Sequence, residues 1–203
     1  MPNTVLSRAM SGTVEPSLLP LPDRVAALLS ELGSPPRLAA HLRAVHHVAH
    51  QLVDWVEHRY PAVIFDREAV LFGAATHDIG KTVHLAELSE PGSAHEEAGQ
   101  VLLLGHGISP ELARFAATHA SWVDARVGLD DLLVSLADKI WKNKRVPDLE
   151  DLVVARLAQA TGRAAWEEFL ALDGVLARIG DAADERLAFQ ASFPIHSGGT
   201  EAA

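Results

Sequence analysis

An apolar stripe with helical spacing constrains the fold of this chain more than any other feature of its sequence. Between residues 38 and 56 the apolar side chains recur at steps of three and four, which places them on one face of an α-helix. The stripe consists of Leu38, Leu42, Val45, Ala49, Leu52 and Val56. Similar spacing recurs along the chain, and no convincing alternation of apolar and polar residues indicates a β-strand. The sequence therefore predicts an all-α protein.

Capping residues, prolines and glycines divide the chain into predicted helices. Their expected ranges are 23–32, 36 to about 59, 66–78, 93–104, 109–119, 129–144, 148–172 and 175–193. We expect a single compact bundle of about 7–9 helices that spans residues 23–193. Residues 1–22 contain four prolines and are predicted to be a flexible leader, and residues 194–203 are predicted to be a flexible tail.

The composition limits the chemistry that is open to the chain. It has no cysteine, so a metal would need nitrogen and oxygen ligands, and a reducing cytoplasm would suit it. The formal net charge of -10 disfavours binding to nucleic acid or to anionic membranes. No apolar run is long enough to span a bilayer, and no signal peptide is evident. We expect a cytoplasmic protein, and its oligomeric state stays open.

A histidine–aspartate pair follows the apolar run at residues 69–76. This pair opens the segment His77-Asp78-Ile79-Gly80-Lys81, in which we expect Gly80 to end the helix. An imidazole nitrogen beside a carboxylate oxygen suits several divalent metals. Further candidate ligands on other predicted helices are His41, His95, His119 and Asp138. Ligands from several helices can converge on a dinuclear site in a bundle core.

With these residues in place, the chain resembles the HD-domain superfamily of metal-dependent phosphohydrolases (HDIG type). The resemblance covers residues 38–142, and its most specific segment is His77-Asp78-Ile79-Gly80-Lys81. The other matching stretches are His41-x-x-x-Val45-x-x-x-Ala49-x-x-Leu52, His95-Glu96-Glu97-Ala98-Gly99-Gln100-Val101-Leu102, Phe115-Ala116-Ala117-Thr118-His119 and Leu136-Ala137-Asp138-Lys139. The family implies a helical fold and the hydrolysis of a small phosphate ester, often a nucleotide, by metal-activated water.

The resemblance also implies roles for individual residues. One ion would be held by His41, His77, Asp78 and Asp138, with Asp78 as a bridge to a second ion. His95 and His119 would hold that second ion. The cofactor would be one or two divalent ions, with Mn, Fe, Co, Ni, Zn and Mg as candidates.

Residues near the expected ions are assigned to catalysis and substrate binding. Asp78 and Lys81 are the expected catalytic residues, and Lys81 would face an anion. The expected substrate-binding residues are Lys81, His84, Trp122 and Lys142. The branch of the family that hydrolyses cyclic dinucleotides has a further histidine and a Gly-Tyr-Pro segment after the fourth histidine. This chain has Ala120-Ser121-Trp122 there, so we do not expect that activity.

The sequence leaves three alternatives open. His46, His47 and His50 lie on the same predicted helix as His41 and compete with it as the first ligand, although the apolar stripe favours His41. A mixed-valent di-iron oxygenase could use the same six ligands. A module that binds a nucleotide without turnover is the third alternative, which a full set of competent ligands disfavours.

Overall fold

The computed structural model describes residues 4–13, 15–122 and 127–195, and within these ranges it contains helices and no strands. The α-helices are α1 Thr4–Ser11, α2 Asp23–Glu31, α3 Pro36–Arg59, α4 Arg67–Thr76, α5 Ala94–Gly105, α6 Pro110–Thr118, α7 Leu129–Ile140, α8 Pro147–Thr161, α9 Ala165–Gly180 and α10 Ala183–Ala191. Two short 3-10 turns follow α4, at Ile79–Thr82 and Leu85–Leu88. The predicted all-α class is confirmed, with ten α-helices in the described ranges where about 7–9 were expected.

The long helix α3 forms the centre of the bundle and contacts α1, α4, α7, α9 and α10. All six residues of the predicted apolar stripe have no exposed surface. Each fully buried leucine or valine of this kind contributes roughly 1.5–3 kcal/mol relative to an exposed one. The stripe therefore holds α3 in the core, where α4 and α7 pack directly on it. Helices α5 and α6 pack on each other, and α6 also packs on α4. In the described residues, none of the helices is long and apolar enough to cross a membrane.

The N-terminal segment differs from the expected flexible leader, because Thr4–Ser11 forms α1 and packs on α3. Leu6, Ala9 and Met10 are buried, at a three-and-four spacing that gives this short helix one apolar face. The guanidinium of Arg43, on α3, donates to the carbonyl oxygen of Leu18 at 2.7 Å. The prolines of the leader thus separate ordered segments that cover α3.

The predicted helix boundaries near the C-terminus also need correction. A break was predicted between residues 172 and 175, but Gly174 lies inside α9. The break occurs at Gly162, whose φ of 71° is left-handed and ends α8. Likewise α7 ends at Ile140 rather than at Lys144, and Asn143 has a φ of 56° just beyond it. Residues 196–203 of the predicted tail lie outside the described residues.

Candidate metal centre

The histidine–aspartate pair lies in the short connection between α4 and the first 3-10 turn. Helix α4 is capped at its start by Asp66, whose Oδ1 accepts from the amide N of Ala69 at 3.0 Å. It ends at Thr76, so His77 is the C-cap and Asp78 has left the helix with φ -102° and ψ 11°. Because the backbone changes direction here, these two adjacent side chains point into the same buried space.

The expected role of Gly80 as the residue that ends this helix is wrong, since the helix has already ended at Thr76. Gly80 lies within the first 3-10 turn, against the start of α5. A Cβ atom at position 80 would lie 2.6 Å from the amide N of Gly99 and would also overlap the carbonyl group of His95. The glycine is needed because two backbones meet here, which brings His95 close to the histidine–aspartate pair.

The structure brings all six predicted ligands together, although α3, α5, α6, α7 and the α4 connection supply them separately. Each is buried, with at most 7% of its surface exposed. They form two groups of three residues, and within each group the ligand atoms all lie within 4.8 Å of one another. One group is His41, His77 and Asp138, and the other is Asp78, His95 and His119. Each group could hold one metal ion, so the centre could hold one or two ions.

Asp78 lies between the two groups and presents one carboxylate oxygen to each. Its Oδ2 is 3.1 Å from Nε2 of His41 and 3.6 Å from Nε2 of His77. Its Oδ1 is 3.0 Å from Nε2 of His95 and 3.5 Å from Nε2 of His119. Asp138 contacts the two histidines of its own group, and its Oδ1 is 3.4 Å from Nε2 of His77. This is the arrangement expected of a carboxylate that bridges two ions.

The hydrogen bonds at the outer nitrogens of two imidazoles leave their inner nitrogens free for a metal. Nδ1 of His77 donates to the carbonyl oxygen of Ala74 at 2.9 Å, and Nδ1 of His119 donates to that of Ala116 at 3.0 Å. A carbonyl oxygen only accepts, so Nδ1 carries a proton, and in the neutral imidazole that binds a metal Nε2 then presents a lone pair. These lone pairs face carboxylate oxygens, which also only accept. A cation between them resolves this, so the residues fit a divalent metal.

The electrostatics of the buried groups agree with this interpretation. Burial lowers the pKa of His119 to about 4, and it also lowers the pKa of His41. Both are therefore neutral near pH 7, the form that binds metals. Burial alone would raise the pKa of the Asp78 carboxyl, but the neighbouring imidazoles of His77, His41 and His95 hold that pKa well below its usual range. The centre thus combines the neutral imidazoles of His41 and His119 with the ionised carboxylate of Asp78.

A cavity of about 480 Å³ opens next to the ligands, and three lysines line it. Nζ of Lys81 donates to Oδ2 of Asp78 at 2.6 Å, and Nζ of Lys139 donates to Oδ2 of Asp138 at 2.5 Å. Lys142 lies at the exposed rim and makes no ion pair with a described carboxylate. Lys81 and Lys142 were both predicted to bind substrate, and both line this cavity.

Two other residues that were predicted to bind substrate are not among those that line the cavity. His84 is half-buried between the two 3-10 turns. Trp122 is half-buried, and its ring centre is 5.9 Å from Nζ of Lys139. The aromatic residue on the cavity wall is Trp141, whose ring centre is 4.9 Å from that of His41.

The other histidines of α3 lie away from this centre. The rings of His46 and His50 contact each other with their centres 4.7 Å apart. Nδ1 of His47 accepts from the amide N of Leu19 at 3.4 Å. Of the four histidines that the sequence left as candidates for the first ligand, only His41 belongs to one of the two ligand groups.

Several residues at the centre were missed because no sequence pattern marks them. Glu87, in the second 3-10 turn, contacts Nδ1 of His95 through Oε2 at 2.5 Å. Glu96, Leu187 and Gln190 line the cavity. Glu96 is adjacent to a ligand and could have been suspected. Glu87 lies between the quoted motif stretches, and Leu187 and Gln190 lie on α10, beyond residues 38–142 in which the chain resembles a family.

Comparisons with protein-family models, with curated proteins and with solved structures found no match for this chain. The resemblance to the HD-domain superfamily therefore stays a prediction that depends on the motifs. The structure independently supplies a helical fold and two histidine–aspartate groups that could bind metal ions.

Proposed function

We propose that this chain is a metal-dependent phosphohydrolase of the HD-domain type, which releases phosphate from a small phosphate ester such as a nucleotide. The observation that carries the proposal is the position of Asp78. Its two oxygens face separate ligand groups, and a lysine-lined cavity lies beside it. A two-ion centre beside a pocket for an anion is a common arrangement for phosphoryl chemistry.

The chain's own groups have separate tasks in this proposal. Ions held by the six ligands would lower the pKa of a bound water and polarise the phosphoryl oxygens. Lys81 is the lysine nearest the bridging carboxylate, so its ammonium group is placed to offset the negative charge that builds up on the phosphoryl oxygens. Lys142 has no carboxylate partner among the described residues and is available to bind the phosphate as it enters.

The size and surroundings of the cavity favour a small substrate. A volume of about 480 Å³ suits a metabolite rather than a polymer. Trp141, Leu187 and Gln190 would contact the part of the substrate that is not phosphate. The net charge of -10 makes nucleic acid an unfavourable partner, while the local lysines still attract a small anion.

The test begins with protein that has been stripped by a chelator and reloaded separately with each candidate ion. Metal content is measured by elemental analysis, and phosphate release is assayed under argon with a panel of phosphomonoesters and nucleotides. We expect up to two ions per chain and phosphate release with at least one ion. Asp78→Ala should lose both ion binding and turnover, because it removes the oxygens shared by the two groups. Asp151→Ala, an exposed change on α8, is the matched control.

Other outcomes would point to the alternatives. Turnover that requires both iron and O2, with no phosphate release under argon, would replace the hydrolase with an oxygenase on the same ligands. Nucleotide binding without a product under any of these conditions would indicate a non-catalytic module. Full metal content in Asp78→Ala would refute the proposed centre itself.

A further inference from the structure

His95 differs from the buried histidines His77 and His119 in how its outer nitrogen is satisfied. Nδ1 of His77 and Nδ1 of His119 each donate to the carbonyl oxygen three residues earlier in their own helix, on Ala74 and Ala116. His95 is the second residue of α5, so the residue three positions earlier, Gly92, lies in a loop. The helix therefore cannot orient this imidazole, and its partner must come from another segment.

Glu87 supplies that partner from the second 3-10 turn. Its Oε2 accepts from Nδ1 of His95 at 2.5 Å and from the amide N of His95 at 3.1 Å. Its Oε1 accepts from the amide N of Ala94 at 3.1 Å. Ser93, at the N-cap of α5, makes no side-chain cap bond, so the Glu87 carboxylate also satisfies the start of this helix. One side chain thus fixes both the ring and the backbone of His95.

We propose that Glu87 is a positioning residue, which holds His95 so that an ion can bind between Asp78, His95 and His119. The inference rests on the proposed metal-dependent function. With its Nδ1 proton directed at Glu87, the imidazole presents the lone pair of Nε2 to Oδ1 of Asp78 at 3.0 Å. This Nε2 is buried and makes no hydrogen bond, as expected for an atom reserved for a metal.

The two ion positions consequently differ in what supports them. The group of His41, His77 and Asp138 makes no contact with Glu87, and its His77 is oriented by its own helix. The group of Asp78, His95 and His119 depends on a carboxylate from a loop whose residues Leu88 and Gly92 also line the cavity. Loss of the Glu87 carboxylate should therefore weaken one ion and spare the other.

Equilibrium dialysis of chelator-stripped protein against Zn²⁺ and, separately, Mn²⁺ tests this inference. The wild-type chain is expected to bind two ions. Glu87→Ala should keep one ion at wild-type affinity and bind the second about 10–100-fold more weakly, the usual effect of removing such a partner. Glu87→Gln keeps one acceptor oxygen and should recover part of that affinity. Glu90→Ala, an exposed change in the same loop, is the matched control and should bind both ions normally.

A comparison with His119→Ala identifies the ion that is affected. His119→Ala should weaken the same ion, and adding Glu87→Ala to it should cause little further loss, because both changes damage one group. Wild-type binding of both ions by Glu87→Ala would overturn the inference. Equal weakening of both ions in Glu87→Ala and Glu87→Gln would overturn it too, since Glu87 would then only support the fold. A wild-type chain that binds no ion would instead refute the proposed function.

Discussion

The close contact at Gly80 allows a quantitative prediction for Gly80→Ala. The added Cβ would lie 2.6 Å from the amide N of Gly99, where ordinary contact begins at about 3.4 Å, and it would also overlap the carbonyl group of His95. The first 3-10 turn and α5 must therefore separate by at least about 0.8 Å, because both obstacles are backbone atoms. That movement takes His95 away from Asp78, to which it is now 3.0 Å distant.

The displacement should affect stability and the metal centre together. Forcing an extra methyl group into a packed interior typically costs about 1–3 kcal/mol. For a chain of this length, 2 kcal/mol corresponds to a decrease in melting temperature of about 4–8 °C. A misplacement near 1 Å at a reacting site can reduce turnover by about 10²-fold. We therefore expect a folded variant that melts earlier, binds the second ion weakly and retains little activity.

Gly105→Ala is the matched control for this experiment, because Gly105 is the last residue of α5 and a Cβ there would meet nothing within 4 Å. It should leave the melting temperature and both ion affinities close to those of the wild type. Calorimetry and equilibrium dialysis on the two variants provide the comparison. Wild-type stability and wild-type binding of both ions in Gly80→Ala would refute the argument that this glycine sets the distance between His95 and Asp78.

Three further predictions concern other parts of the molecule. Burial, with the nearby charges of His50 and His47, lowers the pKa of His46 from 6.5 to about 3. The buried neutral imidazole therefore contributes its full share of stability above pH 6.5, and that stability is lost as the pH falls toward 3. When unfolding by urea is measured in the presence of a chelator, the free energy of unfolding of His46→Leu should rise by about 3 kcal/mol relative to that of the wild type as the pH is lowered from 7 to 4.5. Parallel plots of the two free energies against pH would contradict this. Lys142→Met should raise KM for the phosphate substrate by about tenfold with ion binding unchanged, and an unaltered KM would exclude a role in substrate binding. Asp131→Ala should lower the free energy of unfolding by about 1–3 kcal/mol, because the buried carboxylate accepts from Nε of Arg114 and from Oγ1 of Thr118, and a loss below about 0.5 kcal/mol in urea titrations would contradict it.

The sequence was most informative where local chemistry and spacing act together. The stripe on α3 predicted the core helix because a helix buries one face whatever its neighbours are. The candidate ligands were predicted from motif resemblance, and the structure places all six in the two groups. His41 was favoured over the other histidines of α3 by its position beside the stripe, and it lies in the cluster. In each case the pattern that allowed the prediction lies within one helix or one short motif.

Tertiary contacts explain what the sequence could not indicate. Gly80 looked like a helix break because its neighbours in space, the carbonyl group of His95 and the amide of Gly99, are distant in sequence. Glu87 carried no signal, because a carboxylate eight residues before a histidine follows no helical or strand spacing. The position of Trp122 shortly after His119 suggested substrate contact, but Trp141 lines the cavity. These assignments needed the packing of one segment on another.

The N-terminal helix has a consequence for any shortened version of this protein. Arg43, two residues after the ligand His41, is 2% exposed and donates its guanidinium hydrogens to the carbonyl oxygens of Leu18 and Leu19. A chain cut to begin at Asp23, the boundary that the sequence favours, would leave that charge without these acceptors and would uncover one side of α3. Removing this segment would therefore disturb the helix that presents His41. A loss of metal binding in the shortened protein would then be attributed wrongly to the metal ligands.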